Sequence, residues 1–505
     1  MRKIAWMTAL LVLLTVFPAY AEGTVQIALS DEGIIVNGAP VTDDTGADVY
    51  AANDIVFYLA DQGFTYGEGT AEDEHEQAEA DAHTVLHIAA PGTYEISGKL
   101  SKGQIAVDLG EDAADDLDAV VTLVLRGVDI DCDVAPAIIF YNVYEPCSDD
   151  EDQATKDVDT SAAGANIVIA DGSENRVEGA YVARIYRSYE LNEAGTEVVD
   201  SKKLHKYDGA VYAKMSLNVR GGETGDGVLN ILAENEGLCS DLHMTIDGGN
   251  INIVSGDDGI NTSEDSVSVC TVNGGSVNIV VNGAKGEGDG IDSNGWLVIN
   301  GGSVTSAAYG GSMDSGIDSD MGIHINGGTV AASGNMLDAI AGSAQNYAVF
   351  TFAQRQKGGT AYQLKDESGA VVGEWTPAND FTSLIVSAEN IVPGTYTFWQ
   401  DDMQLAGAQG EMRGMTLPDG MGFPKGDRNA EKMDGFQMPP DGKAPEKLEG
   451  REFPKDGERP EMPEGGFGGR GFGWNRGPMQ AAECSAEFVI AAGGNMFSMV
   501  AEAEQ

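Results

Sequence analysis

Acidic residues recur at matching positions in the turns of the central part of the chain, next to glycine and close to isoleucine. The isoleucines that align the turns are Ile260, Ile291, Ile317 and Ile340. In this alignment one file contains Asp258, Asp289 and Asp338, interrupted by Ser315, and a second contains Asn261, Asp292 and Asp318. Registered acids on successive turns predict a binding site for a cation.

Carboxylates stacked about 5 Å apart repel each other by roughly 3 kcal/mol per pair at an effective dielectric near 20. Calcium relieves such repulsion because it accepts about six to eight oxygen ligands in loose geometry. We therefore expect Ca²⁺ as the cofactor. The alternative is that Asp and Asn occupy these turns only for local hydrogen bonds. The candidate metal ligands are Asp257, Asp258, Asp289, Asp292, Asp318 and Asp338.

The acidic turns belong to a repeat with a nearly constant period. The tetrapeptide I/V-D/N-G-G occurs at residues 246–249, 272–275, 299–302 and 325–328, with first glycines 26, 27 and 26 residues apart. Such a period is typical of a solenoid, in which each coil buries its apolar face on its neighbours. Propeller blades need longer repeats, and sandwiches lack a strict one.

Within each repeat the apolar residues alternate, as strands require. The pattern predicts an all-β parallel β-helix with coils of about 26 residues, whose interior is lined by four columns. The columns are Met244, Cys270, Leu297 and Ile323; Ile246, Val272, Ile299 and Ile325; Ile251, Val277, Val304 and Val330; and the four aligned isoleucines.

Two further side chains could act on a sugar. Lys285 is the only lysine in the acidic segment, and a polysaccharide lyase needs a basic side chain to remove the proton beside a uronate carboxylate. The glycines around it predict a solvated, poorly held side chain instead. Trp296 follows an acidic turn, out of phase with the inward Leu297, so it is a candidate sugar platform or a packing residue.

Bulk properties exclude some partners. The formal net charge of −52 disfavours nucleic acid, whose binding requires basic patches, and no later segment predicts membrane insertion. Arg2 and Lys3 precede an apolar run and an A-x-A site, which predicts a cleaved signal peptide over residues 1–21 and a secreted or cell-surface protein.

The chain divides into further segments. We expect the β-helix over residues 22–345 and a small β-cap over 346–402, which covers sheet edges that would otherwise be exposed. Residues 403–482 form a Pro/Gly-rich segment predicted to be disordered, and closing strands follow at 483–505.

The run Ser255–Ile260, the run Gly288–Gly295 and the I-N-G-G turns resemble a family of exported bacterial carbohydrate-binding-domain proteins. The resemblance implies a right-handed parallel β-helix similar to pectate lyases. It also implies calcium in the acidic turns and a plant-type or acidic polysaccharide as the partner. Calcium-dependent polysaccharide binding without catalysis is the favoured function. A calcium-dependent lyase and a structural cell-surface spacer are the alternatives.

Overall fold

The computed structural model describes residues 23–410 and 484–500. These ranges contain 37 strands and a single α-helix of four residues, which confirms the all-β prediction. The predicted signal peptide and most of the Pro/Gly-rich segment lie outside them. None of the helices in the described ranges has the length and apolar character that crossing a bilayer requires.

The strands follow one another with few interruptions. The upstream strands are β1 (Val25–Leu29), β2 (Ile35–Val36), β3 (Ala39–Pro40), β4 (Val49–Ala52), β5 (Thr84–Ile88), β6 (Gly92–Leu100), β7 (Gly103–Asp108), β8 (Val121–Cys132), β9 (Ile138–Asn142), β10 (Ala165–Ile169), β11 (Glu174–Gly179), β12 (Val182–Leu191) and β13 (Val198–Tyr207), with α1 (Gln77–Ala80) before β5 and 3₁₀ turns at Ala113–Asp115 and Glu151–Gln153. The repeat strands are β14 (Gly209–Ala213), β15 (Leu217–Gly221), β16 (Val228–Ala233), β17 (Glu236–Ser240), β18 (Met244–Ile246), β19 (Asn250–Ser255), β20 (Ile260–Thr262), β21 (Val269–Val272), β22 (Ser276–Val281), β23 (Ile291–Ser293), β24 (Trp296–Ile299), β25 (Ser303–Ala307), β26 (Gly322–Ile325), β27 (Thr329–Gly334) and β28 (Ile340–Ser343). The final strands are β29 (Tyr347–Gln356), β30 (Tyr362–Asp366), β31 (Val371–Trp375), β32 (Phe381–Ser387), β33 (Gly394–Gln400), β34 (Met403–Gln404), β35 (Ala406–Gly410), β36 (Phe488–Ile490) and β37 (Gly494–Val500).

Parallel pairing between successive coils builds three stacks, which the chain visits in the order C, A, B from β14 to β25. Stack A contains β10, β15, β18, β21, β24, β26 and β28. Stack B contains β11, β16, β19, β22, β25 and β27. Stack C contains β7, β9, β14, β17, β20 and β23.

The stacks enclose a continuous apolar core, and three predicted columns are in register. Met244, Cys270, Leu297 and Ile323 are partners in stack A and are each 0% exposed. The column that begins at Ile246 is in the same register in stack A. The column that begins at Ile251 is in register in stack B. Removing these side chains from water is the main driving force for stacking the coils.

The D/N-G-G turns stack as well. The second glycine of each of the four repeats has φ between 74° and 89°, a conformation that side chains disfavour. Amide groups form a ladder across the turns, because Asn273 donates to Asp247 at 2.8 Å, Asn300 to Asn273 at 2.9 Å and Asn326 to Asn300 at 2.8 Å. The repeat therefore fixes the register at its corners as well as in its core.

Further strands lie outside the three stacks, and β30, β31, β33, β34 and β36 form a separate sheet. An antiparallel hairpin, β12–β13, lies between coils, and its base contacts stack C. After the last coil, β32 pairs antiparallel with β27, and β29, β37 and β35 continue that sheet. Residues 403–410 are strands here, whereas the sequence assigned them to the low-complexity segment. They are ordered because β35 pairs with β37 from beyond that segment.

Candidate functional site

The acidic turns lie where stack B passes into stack C, and a column of glycines shapes them. A Cβ at Gly259 would overlap the Cγ2 methyl of Ile279, and one at Gly290 would overlap the Ser306 hydroxyl. The chain therefore approaches the core closely at each glycine, which leaves the residue before it half-buried at the surface. This close approach explains the acid-Gly-Ile pattern.

Backbone hydrogen bonds confirm the register of the first file. The amide of Gly259 donates to the Asp289 carbonyl at 3.0 Å, and that of Gly290 donates to the Ser315 carbonyl at 3.0 Å. Each acid also caps its neighbour: Asp258 Oδ1 accepts the Asp289 amide at 2.7 Å, and Asp289 Oδ1 accepts the Ser315 amide at 2.5 Å. Asp258 Oδ2 also accepts the Asn261 side-chain amide at 3.3 Å, so local hydrogen bonding accounts for both oxygens of Asp258 and for one oxygen of Asp289.

The first file begins one coil earlier than predicted, at Glu236. In β17 the sequence Glu236-Gly237-Leu238 matches the acid-Gly-aliphatic pattern, and the Gly237 amide donates to the Asp258 carbonyl at 3.0 Å. Glu236 is 8% exposed, and its Oε2 accepts the Cys239 thiol at 2.8 Å. The alignment on isoleucine missed this residue because leucine takes the isoleucine position.

The second file is in register along stack C. Asn261 pairs with Asp292, and the Asp318 amide donates to the Ile291 carbonyl at 2.7 Å, which places Asp318 on the next coil. Asp318 Oδ1 is buried and has no hydrogen-bond partner among the described residues. An unsatisfied carboxylate oxygen is costly, so this atom indicates an absent ligand or proton.

The last coil departs from the predicted alignment. Ile340 pairs with Ile323 in stack A, so it does not extend the column of Ile260, Ile291 and Ile317. Residues 335–339, between β27 and β28, are too few to pass through stack C. Asp338 nevertheless lies beside the second file, because its Oδ2 accepts the Ser319 amide at 3.1 Å.

Burial and mutual repulsion alter the acidity of this group. Burial, followed by neighbouring carboxylates, raises the pKa of Asp292 to about 6, of Asp318 to about 7 and of Asp289 to about 9. Burial likewise raises the pKa of Asp257 to about 6 and that of Asp258 well above its usual range. These raised pKa values favour protonation of Asp289 at neutral pH, whereas Asp292 and Asp257 are mostly ionised there.

The donor chemistry of this face fits calcium, since all the ligands on offer are oxygens of carboxylates, amides and carbonyls. The side chains are not gathered around one point, because no group of three His, Cys, Asp or Glu residues able to hold a metal ion occurs in residues 23–410 and 484–500. Ion binding would therefore require carboxylates to reorient toward a shared position.

Lys285 is held in place, contrary to the expectation of a loose side chain. Its Nζ lies 3.0 Å from Glu234 Oε1 and donates to the Tyr181 hydroxyl at 2.8 Å. The Tyr181 hydroxyl in turn donates to Asp73. These partners are distant in sequence, so the repeat gave no sign of them.

Trp296 begins β24 in stack A, around the corner from Asp292. Its side chain is half-buried, and its partners in the adjacent coils are Val269 and Gly322. Leu297 beside it is fully buried, so Trp296 faces away from the core. It does not lie in the acidic files.

The described chain is thus an all-β protein of stacked parallel coils with a half-buried acidic surface. A family model described as "Carbohydrate-binding domain-containing protein" matches residues 82–351, which is more than half of the chain. The protein belongs to this carbohydrate-binding domain-containing family.

One solved structure is similar to the chain: "Structure of the polysaccharide lyase-like protein from C. thermocellum, Gadolinium derivative". The identity is 17% and the TM-score 0.35, over 63% of this chain and 92% of that chain. A TM-score this low supports no conclusion about function. No curated protein matches the sequence.

Proposed function

We propose that this protein binds polysaccharide, of plant cell-wall or otherwise acidic type, in a calcium-dependent manner. The observation that carries the calcium part is the register of half-buried carboxylates with raised pKa values, together with the unsatisfied Oδ1 of Asp318. Membership of the carbohydrate-binding family supports the polysaccharide part.

The charge of the protein connects calcium binding with polysaccharide binding. A chain with a net charge of −52 repels an anionic polysaccharide, so association requires a cation between the two. Calcium bound at the acidic face would supply it, because it takes ligands from both protein and sugar carboxylates. Asp257, Asp258, Asp289, Asp292, Asp318 and Asp338 are the proposed protein ligands, and Glu236 adjoins them.

The proposal includes a right-handed β-helix and export from a bacterial cell. The parallel order of stacks C, A and B supports a β-helix. The charged and apolar residues at 1–21 support export. A mature protein beginning at Glu22, measured by mass spectrometry on culture supernatant, would establish processing.

Calorimetry with and without calcium tests the binding. We expect heat on titrating Ca²⁺ into metal-free protein, and polygalacturonate affinity at least about tenfold higher with calcium. Asp292→Asn with Asp318→Asn should abolish this gain, and Asp43→Asn, at an exposed loop acid, should leave it intact. Equal affinity with and without calcium would overturn the calcium part, and no binding to any glycan would favour a structural spacer.

A lyase is the second candidate because Lys285 is fixed next to the acidic turns, where its amide bonds the Gly256 carbonyl at 3.1 Å. Its contacts with Glu234 and Tyr181 occupy the nitrogen that would accept the substrate proton. Unsaturated uronides released from polygalacturonate by the wild type, and not by Lys285→Ala, would establish catalysis.

A further inference from the structure

A cleft of about 450 Å³ lies upstream of the acidic face, on the outer side of stack A. This volume is within the range of small-molecule binding sites, roughly 300–1,000 Å³. Its floor comes from β8, β10 and β15, and its sides come from the loops before β8 and β10. Leu117, Thr122, Tyr144 and Arg220 are among the residues that line it.

Arg220 is one of the described basic residues without an ion-pair partner, and it lies in this cleft. Most of the described lysines and arginines have a carboxylate within 4 Å, as expected among 81 acidic residues, but Arg220 has none among the described residues. Its guanidinium also makes no hydrogen bond there. It therefore presents a complete set of donors, suited to a carboxylate in bidentate geometry.

The surroundings of Arg220 suit a sugar ring. The hydroxyls of Tyr144 and Thr122 also have no partner among the described residues, while Leu117 is 71% exposed. Tyrosine and leucine offer apolar surface to the C–H groups of a sugar, and the free hydroxyls can bond its hydroxyls. A second cleft of about 460 Å³ shares Arg220 and is lined mostly by turn glycines, which leave room for a neighbouring sugar unit, while Glu223 and Asp247 in its lining favour the neutral groups of that unit over its carboxylate.

We propose that this cleft is a second carbohydrate subsite, which binds one uronate unit by its carboxylate on Arg220 and by its ring against Tyr144 and Leu117. The inference rests on the proposed polysaccharide-binding function but not on the acidic face. Here the protein itself supplies the cation, so binding needs no calcium. Exposed acids on the loop at residues 111–118 repel an anion in the cleft. Water and salt screen this repulsion more strongly than they screen the direct contact between the sugar carboxylate and Arg220.

The test uses trigalacturonate and the full-length protein stripped of divalent cations, followed by calorimetry. Arg220→Gln should weaken binding by at least about tenfold, since a charge-assisted hydrogen bond is lost. Arg355→Gln, at another exposed arginine without a carboxylate partner among the described residues, is the matched control and should bind as the wild type. Tyr144→Phe should weaken binding severalfold, and the methyl-esterified trisaccharide should bind wild type as weakly as trigalacturonate binds Arg220→Gln.

The outcomes separate this subsite from the calcium-dependent site. Wild-type affinity in Arg220→Gln, with its melting temperature unchanged, would overturn the subsite and leave the calcium proposal standing. Binding lost in Arg220→Gln but kept in the Asp292→Asn/Asp318→Asn variant would support the subsite as independent of the acidic face. Equal affinity for the ester and the acid would overturn the role of the carboxylate.

Discussion

Along stack C, one file of residues passes from apolar to acidic while the backbone pairing stays parallel and in register. Its upstream members are Ile139, Tyr212 and Cys239, at most 2% exposed, and its downstream members are Asn261 and Asp292, both half-buried. The pairing of the strands therefore does not decide the chemistry of this face.

The β12–β13 hairpin accounts for the difference. Its Tyr207 contacts Tyr141 and Tyr212 with ring centroids 5.6 and 5.2 Å apart, and its Lys203 lies 3.6 Å from Asp241. Under this cover an acid loses its hydration, which is costly unless it gains a partner, as Asp241 does in Lys203 and the Tyr212 hydroxyl. Downstream, carboxylates keep part of their contact with water.

The largest expected effect is on stability, from a substitution in the covered half of stack C, which is the upstream part beneath the β12–β13 hairpin. Tyr212→Ala removes the ring contact with Tyr207 and the hydrogen bond to Asp241, and it leaves a cavity. We expect the free energy of unfolding to fall by about 3–5 kcal/mol, measured by denaturant titration. Asn261→Ala, in the same file of the open half, should cost less than about 1 kcal/mol. Equal losses would contradict the distinction between the halves.

The next effect is the pH dependence of stability, which we attribute to the open half of stack C, the downstream part with half-buried acids. Because the folded-state pKa values of Asp292, Asp318 and Asp289 are raised from 3.8 to about 6, about 7 and about 9, the folded protein binds more protons than the unfolded one between about pH 4 and 9. The contribution of these three groups to the free energy of unfolding is therefore fully present below about pH 4. It is lost as the pH rises toward about 9.

Metal-free protein should accordingly be less stable at pH 8 than at pH 5, by about 2 kcal/mol after allowance for solvent screening. Differential scanning calorimetry after chelating-resin treatment measures this difference. Saturating calcium should reduce it, since the ion replaces the protons. A melting temperature that rises from pH 5 to pH 8 would contradict the raised pKa values.

The smallest effect is expected at Asp289, whose pKa is raised to about 9, so that folding at pH 8 requires this carboxyl to take up a proton. Asp289→Asn removes that requirement and keeps the acceptor for the Ser315 amide. At pH 8 without calcium we expect stabilisation by about 1 kcal/mol, with weaker calcium binding in calorimetry. Asp43→Asn should change neither quantity. Destabilisation by Asp289→Asn would contradict the raised pKa of Asp289.

Much of the stacked parallel arrangement was predictable because its stabilising contacts repeat in sequence. The columns that begin at Met244, Ile246 and Ile251 and the turn glycines at positive φ are where the period placed them. Glu236 could also have been predicted, since Glu236-Gly237-Leu238 follows the acid-Gly-aliphatic pattern. Requiring isoleucine, and not any aliphatic residue, concealed it.

Other parts depend on contacts that the period does not contain. Lys285 is fixed by Glu234 and Tyr181, and Ile340 joins stack A because the final coil is short. Arg220 becomes a candidate binding residue only in the folded protein, where Tyr144 and Leu117 lie around it and it has no ion-pair partner among the described residues. Calcium, export and Trp296 as a sugar contact stay predictions.

The sequence by itself determined the all-β coils, their period and the register of the acids on stack C, because these follow from local alternation and turn glycines repeated every 26 or 27 residues. Only the tertiary structure decided which part of stack C is covered, which lysine is held and where a cleft opens. Those outcomes depend on burial and on partners far apart in the chain, and a local pattern carries no record of either.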